Sequence, residues 1–449
     1  MASLYPFLIL AVGLAVVVGG ILVLRLHAFI ALIAAAFAVS LLAPGEWADK
    51  IPRVAEGFGA TATGVGIVIS LAAIIGMAMT ASGAADRVVA MFLRLFGERH
   101  ADASLMASGF VLAIPVFFDT VFFLLVPLVR SMFRRTGHGY VRCLVAAAIC
   151  AVTHALVPPT PGPLVVADAL GVGIGTMMLA GLLASIPAAL AGLVFASWAD
   201  KHVHVTSPTE AVTSSFNAGQ PLPALGWSLA PVLLPLLLIA LAAVTGLVTT
   251  PDNILREITA VLGHPQFALL LGAVVALYVY WRQRRPSVAQ MGEQLNQALM
   301  AAGVIVLITC AGGAFGSALR SAGLAPAVQA LAGESSATGM GILLLGFSVA
   351  AVLKFAQGSS TAAMIVTSAM IAAMIEPGTL GFHPVYAALA IGSGSLVGSW
   401  MNDSGFWLFA RMGGLTEAQT LKTWTPLLAL LGCTAMLMTL LMAVLMPMA

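Results

Sequence analysis

Charge is the scarcest property of this sequence. Of its 449 residues only 8% are Asp, Glu, Lys or Arg, where a water-soluble domain carries about a quarter. A solvated surface is therefore excluded for most of the chain. The net charge of +2 offers no basic footprint for nucleic acid. Cys143, Cys150, Cys310 and Cys433 fall in apolar segments without metal-ligand or redox spacing, so they read as small packing residues. His-Glu-x-x-His and Gly-x-Ser-x-Gly are also absent, which leaves an intramembrane enzyme without a nucleophile, base or metal cluster. No cofactor and no metal site is expected.

What is present is apolar: 61% of residues are hydrophobic and mean hydropathy is +1.06. A membrane-crossing helix needs about 20 mostly apolar residues. Runs of this kind are Leu4 to Leu24, Ala28 to Ala43, Ala60 to Met79, Met177 to Trp198, Leu225 to Val248, Phe267 to Trp281, Met300 to Leu319 and Pro426 to Met446. The first lacks a basic leading region and is too long for a signal-peptide core, so it reads as a retained helix.

A repeat underlies these runs. Glu56 precedes an apolar stretch and the small-residue turn Ser82-Gly83, and 63 positions after it comes the polar interruption Phe117-Phe118-Asp119-Thr120. Glu293 repeats the pattern, with Ala322-Gly323 as the turn and Gln357-Gly358-Ser359-Ser360 following 64 positions after the glutamate. Each half then carries a second interruption, at Thr153 to Pro163 and at Ser393 to Ser404, with an offset near 238 throughout.

Loop charge gives the orientation of the halves, because short cytoplasmic loops are enriched in Lys and Arg. The loop Arg130 to Arg142 holds Arg130, Arg134, Arg135 and Arg142, while its counterpart near Ile375 to Pro384 holds no Lys or Arg. Arg282, Arg284 and Arg285 precede the second repeat, whereas Pro44 to Glu56 mixes Lys50 and Arg53 with Glu46, Asp49 and Glu56. The bias swaps sides, as inverted-topology repeats require. By the same rule the segment Ala103 to Val129, flanked by arginines at both ends and interrupted by Pro115, reads as a re-entrant hairpin. Its tip must be buried in protein or face a water-filled cavity, since lipid satisfies no backbone polar group.

The expected fold is an all-α polytopic membrane protein, an inverted-repeat transporter with about ten crossing helices, two of them broken, plus two re-entrant hairpins. The first repeat covers 1–198, with its hairpin at about 103–130 and broken helix at about 140–173. A cytoplasmic linker covers 199–223. The second repeat covers 224–449, with its hairpin at about 340–375 and broken helix at about 384–412.

Ionisable residues at membrane depth are costly and therefore mark candidate function. Asp119, His154, Asp168, Lys354 and Asp403 qualify. Between Thr153 and Pro163 four prolines, Pro158, Pro159, Pro161 and Pro163, forbid a continuous helix. The break exposes N–H groups of a new half-helix, whose positive end holds a carboxylate. Thr153, His154, Thr160 and Gly162 of this break, Lys354 with Gln357, Gly358, Ser359, Ser360 and Thr361 at the second hairpin tip, and Ser393, Ser395 and Asn402 at the second break are the candidate substrate-binding residues. Asp119 and Asp403 are the candidate proton carriers. Trp400 and Trp407 read as packing or interfacial aromatics.

At these positions the sequence resembles the gluconate permease family of gluconate:proton symporters, part of a larger ion-transporter superfamily. The resemblance spans nearly the whole chain and rests on Gly57-Phe58-Gly59, Ser82-Gly83, Phe117-Phe118-Asp119, Thr153-His154, Pro158-Pro159, Pro161-Gly162-Pro163, Ala356-Gln357-Gly358-Ser359, Asn402 to Trp407 and Thr420 to Trp424. It implies proton-driven uptake of a sugar acid or related small organic anion across a bacterial inner membrane. It also implies a homodimer embedded in lipid, with a fixed scaffold and a moving, elevator-type transport domain. Family members commonly have Glu at the place of Asp119, His at Thr160, Arg at Lys354 and Ser-His-Val at Ser399-Trp400-Met401, so the carboxylate carried stays open. Sodium symport remains the nearest alternative, since hydroxyls and unwound carbonyls coordinate that ion equally well. A channel suits repeated polar breaks less well than alternating access does.

Overall fold

The computed structural model describes residues 4–97, 100–136, 139–203, 205, 221–248, 253–323, 327, 339–375, 380–401 and 403–448. Among them no strand occurs, and every regular element is helical. The first half runs α1 (Tyr5–Leu22), α2 (Ala28–Leu42) and α3 (Pro52–Thr61), which continues through a π-helical turn at Ala62–Gly66 into α4 (Ile67–Ser82). Then come α5 (Ala84–Phe96), α6 (Ala101–Leu112), α7 (Phe118–Thr136), α8 (Tyr140–Ala148), α9 (Ala151–Leu156), α10 (Pro161–Ala169) and α11 (Ile174–His202). The second half holds α12 (Leu225–Val248), α13 (Ile254–Leu262), α14 (Pro265–Arg284), α15 (Val288–Ser321), α16 (Met340–Gln357), α17 (Ser360–Met374), α18 (Val385–Gly394), α19 (Ser404–Gly413) and α20 (Glu417–Leu445).

Seven stretches among the described residues are long and apolar enough to cross a bilayer: Trp47–Ser82, Tyr140–Ala169, Ile174–His202, Leu225–Ala242, Pro265–Arg284, Val288–Ser321 and Glu417–Leu445. This is fewer than the sequence led us to expect, for a geometric reason. Helix α2 has 15 residues, about 22 Å at 1.5 Å per residue, short of the roughly 30 Å hydrocarbon layer. Helix α1, apolar over Tyr5–Ile21, falls just short as well, while α6, α16, α17 and α18 end at the turns of the hairpins and broken helices. Helix α11 also continues to His202, four residues into the stretch read as linker. Of that linker, 204 and 206–220 lie outside the described residues.

Both interruption types take the form of helical breaks. Around Pro115, residues 113–117 separate α6 from α7, and Gly358-Ser359 separate α16 from α17, giving one helical hairpin in each half. Residues 157–160 and 395–403 separate α9 from α10 and α18 from α19. The order hairpin, broken helix, long helix thus occurs in both halves, ending on α11 and on α20.

Packing sorts the helices into two groups. In one, α15 lies along α2, α3 and α4, while α14 lies along α4 and α12. In the other, α11 packs on α8, α9 and α20, and α18 packs on α16 and α20. Helices α10 and α17 lie against each other, and both touch α15 and α18, so they join the groups. Lipid gives apolar helices no hydrophobic reason to associate, so close approach through small residues must do so. Helix α19 is held at its end by hydrogen bonds from the first half: Arg130 Nη2 donates to the Met412 carbonyl at 2.5 Å and Tyr140 OH to that of Gly413 at 2.8 Å.

Gly394 illustrates the tolerance of this packing. A Cβ there would stand 2.1 Å from the Phe347 carbonyl oxygen, a backbone atom. At Gly162 it would stand 2.0 Å from Met364 Cε, the far end of a flexible side chain. Gly394→Ala is expected to cost about 1–3 kcal/mol and lower the thermal midpoint of the purified protein, while Gly162→Ala should cost less. Equal losses would contradict the packing argument.

Candidate functional site

Four of the five ionisable residues singled out at membrane depth line one cavity of about 370 Å³. Asp119, His154, Lys354 and Asp403 reach it from α7, α9, α16 and the residue preceding α19, with Phe118, Gly358, Ser359, Ser360, Thr361, Ser404 and Trp424 among the other lining residues. Its volume falls in the range of roughly 300–1,000 Å³ of small-molecule sites.

Helix direction sets the electrostatics. Phe118 and Asp119 open α7, Ser360 and Thr361 open α17, and Ser404 and Gly405 open α19; all six line the cavity. Three helix N-termini therefore face one space. Each carries roughly half a positive charge on N–H groups without intrahelical partners, the arrangement that binds carboxylates and phosphates.

Lys354 occupies the last turn of α16 and is only 2% exposed. Its Nζ donates to the Gly358 carbonyl at 2.7 Å and to Asp403 Oδ2 at 2.7 Å. Gly358 makes this possible by turning the chain at φ +80°, a left-handed conformation that favours glycine. Ser359 then caps α17 by accepting from the Ala362 N–H, and Ser360 Oγ donates to the Ser395 carbonyl at 2.8 Å, tying the hairpin tip to the second break.

Asp403, 6% exposed, is fully engaged. Its Oδ1 accepts from the Gly405 N–H at 3.0 Å, capping α19, while Oδ2 accepts from Lys354 and from Ser399 Oγ. Ser399 Oγ in turn accepts from Trp424 Nε1 at 2.6 Å. The Trp424 ring packs on Phe118 and Phe409, so it walls the cavity and anchors the hydrogen-bond chain together.

Asp119 differs. Its side chain is exposed to the cavity and makes no hydrogen bond or ion pair with any described residue. The His154 and Phe117 rings meet in a T-shaped arrangement, and His154 Nδ1 is buried without a partner among the described residues.

The remaining candidates are placed as follows. Thr160 Oγ1 donates to the carbonyls of His154 and Val157, closing the first break on itself. Gly162 packs against Met364. Ser395 Oγ donates to the Gly392 carbonyl at 2.7 Å. Thr153 and Ser393 are buried beside the breaks, their hydroxyls without described partners. Gln357 is described through its backbone only, and Asn402 lies outside the described residues.

Asp168, the fifth ionisable residue, lines a separate cavity of about 1050 Å³ with Glu56, Arg320 and His383. The two cavities share no lining residue. Both cavities set two carboxylates against one cation, but the larger one meets α10 and α17 near their C-terminal ends, whose dipoles disfavour an anion, where the smaller one meets three N-termini. The smaller cavity is therefore the candidate site. Ser399 and Trp424 were not identified as site residues from sequence; the signal available was a tryptophan in the polar opening of a long apolar helix.

The family model described as GntP family permease matches residues 5–445. A gluconate permease of Pseudomonas aeruginosa is 34% identical over 93% of this chain and 93% of its own length. The Gnt-II system L-idonate transporter of Escherichia coli K12 is 29% identical over 96% of this chain and 98% of its own. Among solved structures, the YdaH transporter of Alcanivorax borkumensis has a TM-score of 0.63 at 12% identity, over 95% of this chain and 99% of that one. MtrF of Neisseria gonorrhoeae has a TM-score of 0.65 at 13% identity, over 94% and 96%. These two likenesses speak for the fold alone. With the apolar helices described above, the comparisons make the chain a multi-pass membrane transporter rather than an enzyme, and it belongs to the GntP permease family.

Proposed function

We propose that this permease imports a small organic anion, a gluconate-like sugar acid or related hydroxycarboxylate, by proton symport with alternating access at the 370 Å³ cavity. One observation carries the reading: three helix N-termini and a buried lysine converge on a space that also holds Asp119, a carboxylate without a described partner. The N-termini and Lys354 suit the substrate carboxylate, and Ser359, Ser360, Thr361 and Ser404 suit its hydroxyls. Relatives named for gluconate and L-idonate support a sugar acid.

The recurring element order and the reversed loop charge support inverted repeats. On this reading α1 to α4 with α12 to α15 form a scaffold, through which two copies pair in the inner membrane, and the hairpins and broken helices move as the transport domain.

Proteoliposomes should accumulate labelled gluconate when the outside is acidified. Uptake that ignores proton gradients of either direction but rises with sodium would replace proton coupling by sodium symport. Non-saturable flux without counterflow would point to a channel. A thermal-shift panel of sugar acids, hydroxy acids and D-amino acids should show its largest stabilisation for a sugar acid, because stabilisation follows occupancy.

A further inference from the structure

We propose that Asp403 and the substrate carboxylate compete for Lys354, so that the anion binds only after Asp403 has taken up a proton. The inference rests on the anion-transport reading above and adds to it the group through which proton and anion are linked.

The geometry is that of an occupied counter-ion site. Lys354 is the single Lys or Arg among the described residues lining the cavity, and its charge is already matched by a carboxylate at 2.7 Å. A second carboxylate arriving there would share one buried ammonium group with Asp403, in a cavity that Asp119 also lines. Like charges so close disfavour one another strongly at low dielectric. One carboxylate must be neutralised or leave. Asp403 cannot readily leave: its Oδ1 caps α19 through the Gly405 N–H, and Ser399 holds Oδ2. It can be neutralised in place.

The surrounding hydrogen bonds accommodate that proton. Trp424 Nε1 is a donor only, so Ser399 Oγ accepts from it and spends its own proton on Asp403 Oδ2. When Oδ2 is protonated, its O–H donates to Ser399 Oγ, which has a second lone pair, and the serine proton turns away. Oδ1 keeps the Gly405 N–H throughout. Lys354 keeps the Gly358 carbonyl and so stays aimed at the cavity, with a donor released for the substrate. The proton comes from the aqueous side of the cavity and leaves with the anion on the other side. The other titratable groups lining the cavity are Asp119 from α7 and His154 from α9.

Two kinds of measurement test this, with gluconate as the probe. Calorimetric titration of the wild-type permease near neutral pH, in buffers of different ionisation enthalpy, should report close to one proton taken up per gluconate bound. The Kd should rise about tenfold per pH unit on the alkaline side. Asp403→Asn should bind gluconate with no proton uptake and a Kd that does not change with pH. Ser399→Ala, a milder change that removes one donor to the Asp403 carboxylate, should move the pH at which binding is half lost to a higher value. Binding in the wild type with no proton uptake overturns the proposal even where Asp403→Asn does not fold. Uptake that persists in Asp403→Asn, or that disappears in Asp119→Asn instead, overturns it by assigning the proton elsewhere. If the wild type binds no sugar acid or hydroxy acid at all, the transport reading itself falls, an outcome distinct from pH-independent binding.

Discussion

Replacing Lys354 by alanine should remove measurable anion binding and destabilise the protein at the same time. The two effects have separate causes. Binding suffers because the only Lys or Arg among the described residues lining the cavity is gone; a hydrogen bond to a charged group contributes about 1.5–3 kcal/mol, or roughly 10- to 100-fold in Kd. Stability suffers because Asp403 is left buried without its counter-ion, and breaking a buried pair by deleting one partner costs about 3–5 kcal/mol. A paired variant separates them. Lys354→Met with Asp403→Asn removes both charges and keeps a side chain able to cap α19, so most of the stability should return while binding does not. Lys354→Arg, which keeps the positive charge, should keep binding. Gluconate binding by the paired variant at wild-type affinity would remove Lys354 from recognition.

The second large effect is expected at Asp119. Asp119→Asn should slow proton-driven accumulation at least tenfold in proteoliposomes while leaving counterflow exchange largely intact. Exchange moves one anion in for another and needs no proton to be lost from the loaded site. Net uptake does need it, and Asp119 is a carboxylate that faces the cavity without a described partner, ready to relay the proton. Because no ion pair is broken, the thermal midpoint should hardly move. Accumulation at the wild-type rate would take Asp119 out of the coupling path.

Much of this site was legible in the sequence because membrane depth punishes irregular backbone and charge. The prolines between Pro158 and Pro163 could not continue a helix, and α9 does end at Leu156. The ionisable residues beside the breaks gather at one cavity, since only a protein-lined space tolerates both unsatisfied backbone and charge. What escaped notice depends on direction and partnership in three dimensions. Sequence marks where α7, α17 and α19 begin but not that their beginnings face each other. Lys354 read as a free cation for the substrate, whereas its partner Asp403 is 49 residues away and meets it only through two turns. Thr160 read as a ligand, yet its hydroxyl is taken by carbonyls of its own turn. Asp168, six residues beyond Gly162, went to a different cavity because α10 carries it away from the break. Seven described stretches reach spanning length where about ten crossings are expected, because an apolar run in a sequence does not show where a turn shortens the helix.

Helix α19 has 10 residues, about 15 Å from end to end, and it is pinned at both extremities. At its beginning Asp403 clasps Lys354 of the hairpin in the second half; at its end the Met412 and Gly413 carbonyls are gripped by Arg130 and Tyr140, on and just beyond the hairpin of the first half. A short rod fastened in this way acts as a strut. If the hairpins move as proposed, pressure on one tip would be carried lengthwise to the base of the other, and neither would swing alone without breaking a fastening at one end. Release of the Lys354 clasp by a proton would therefore loosen only one end of the rod, turning a change of charge into a change of mechanical freedom for both halves of the permease.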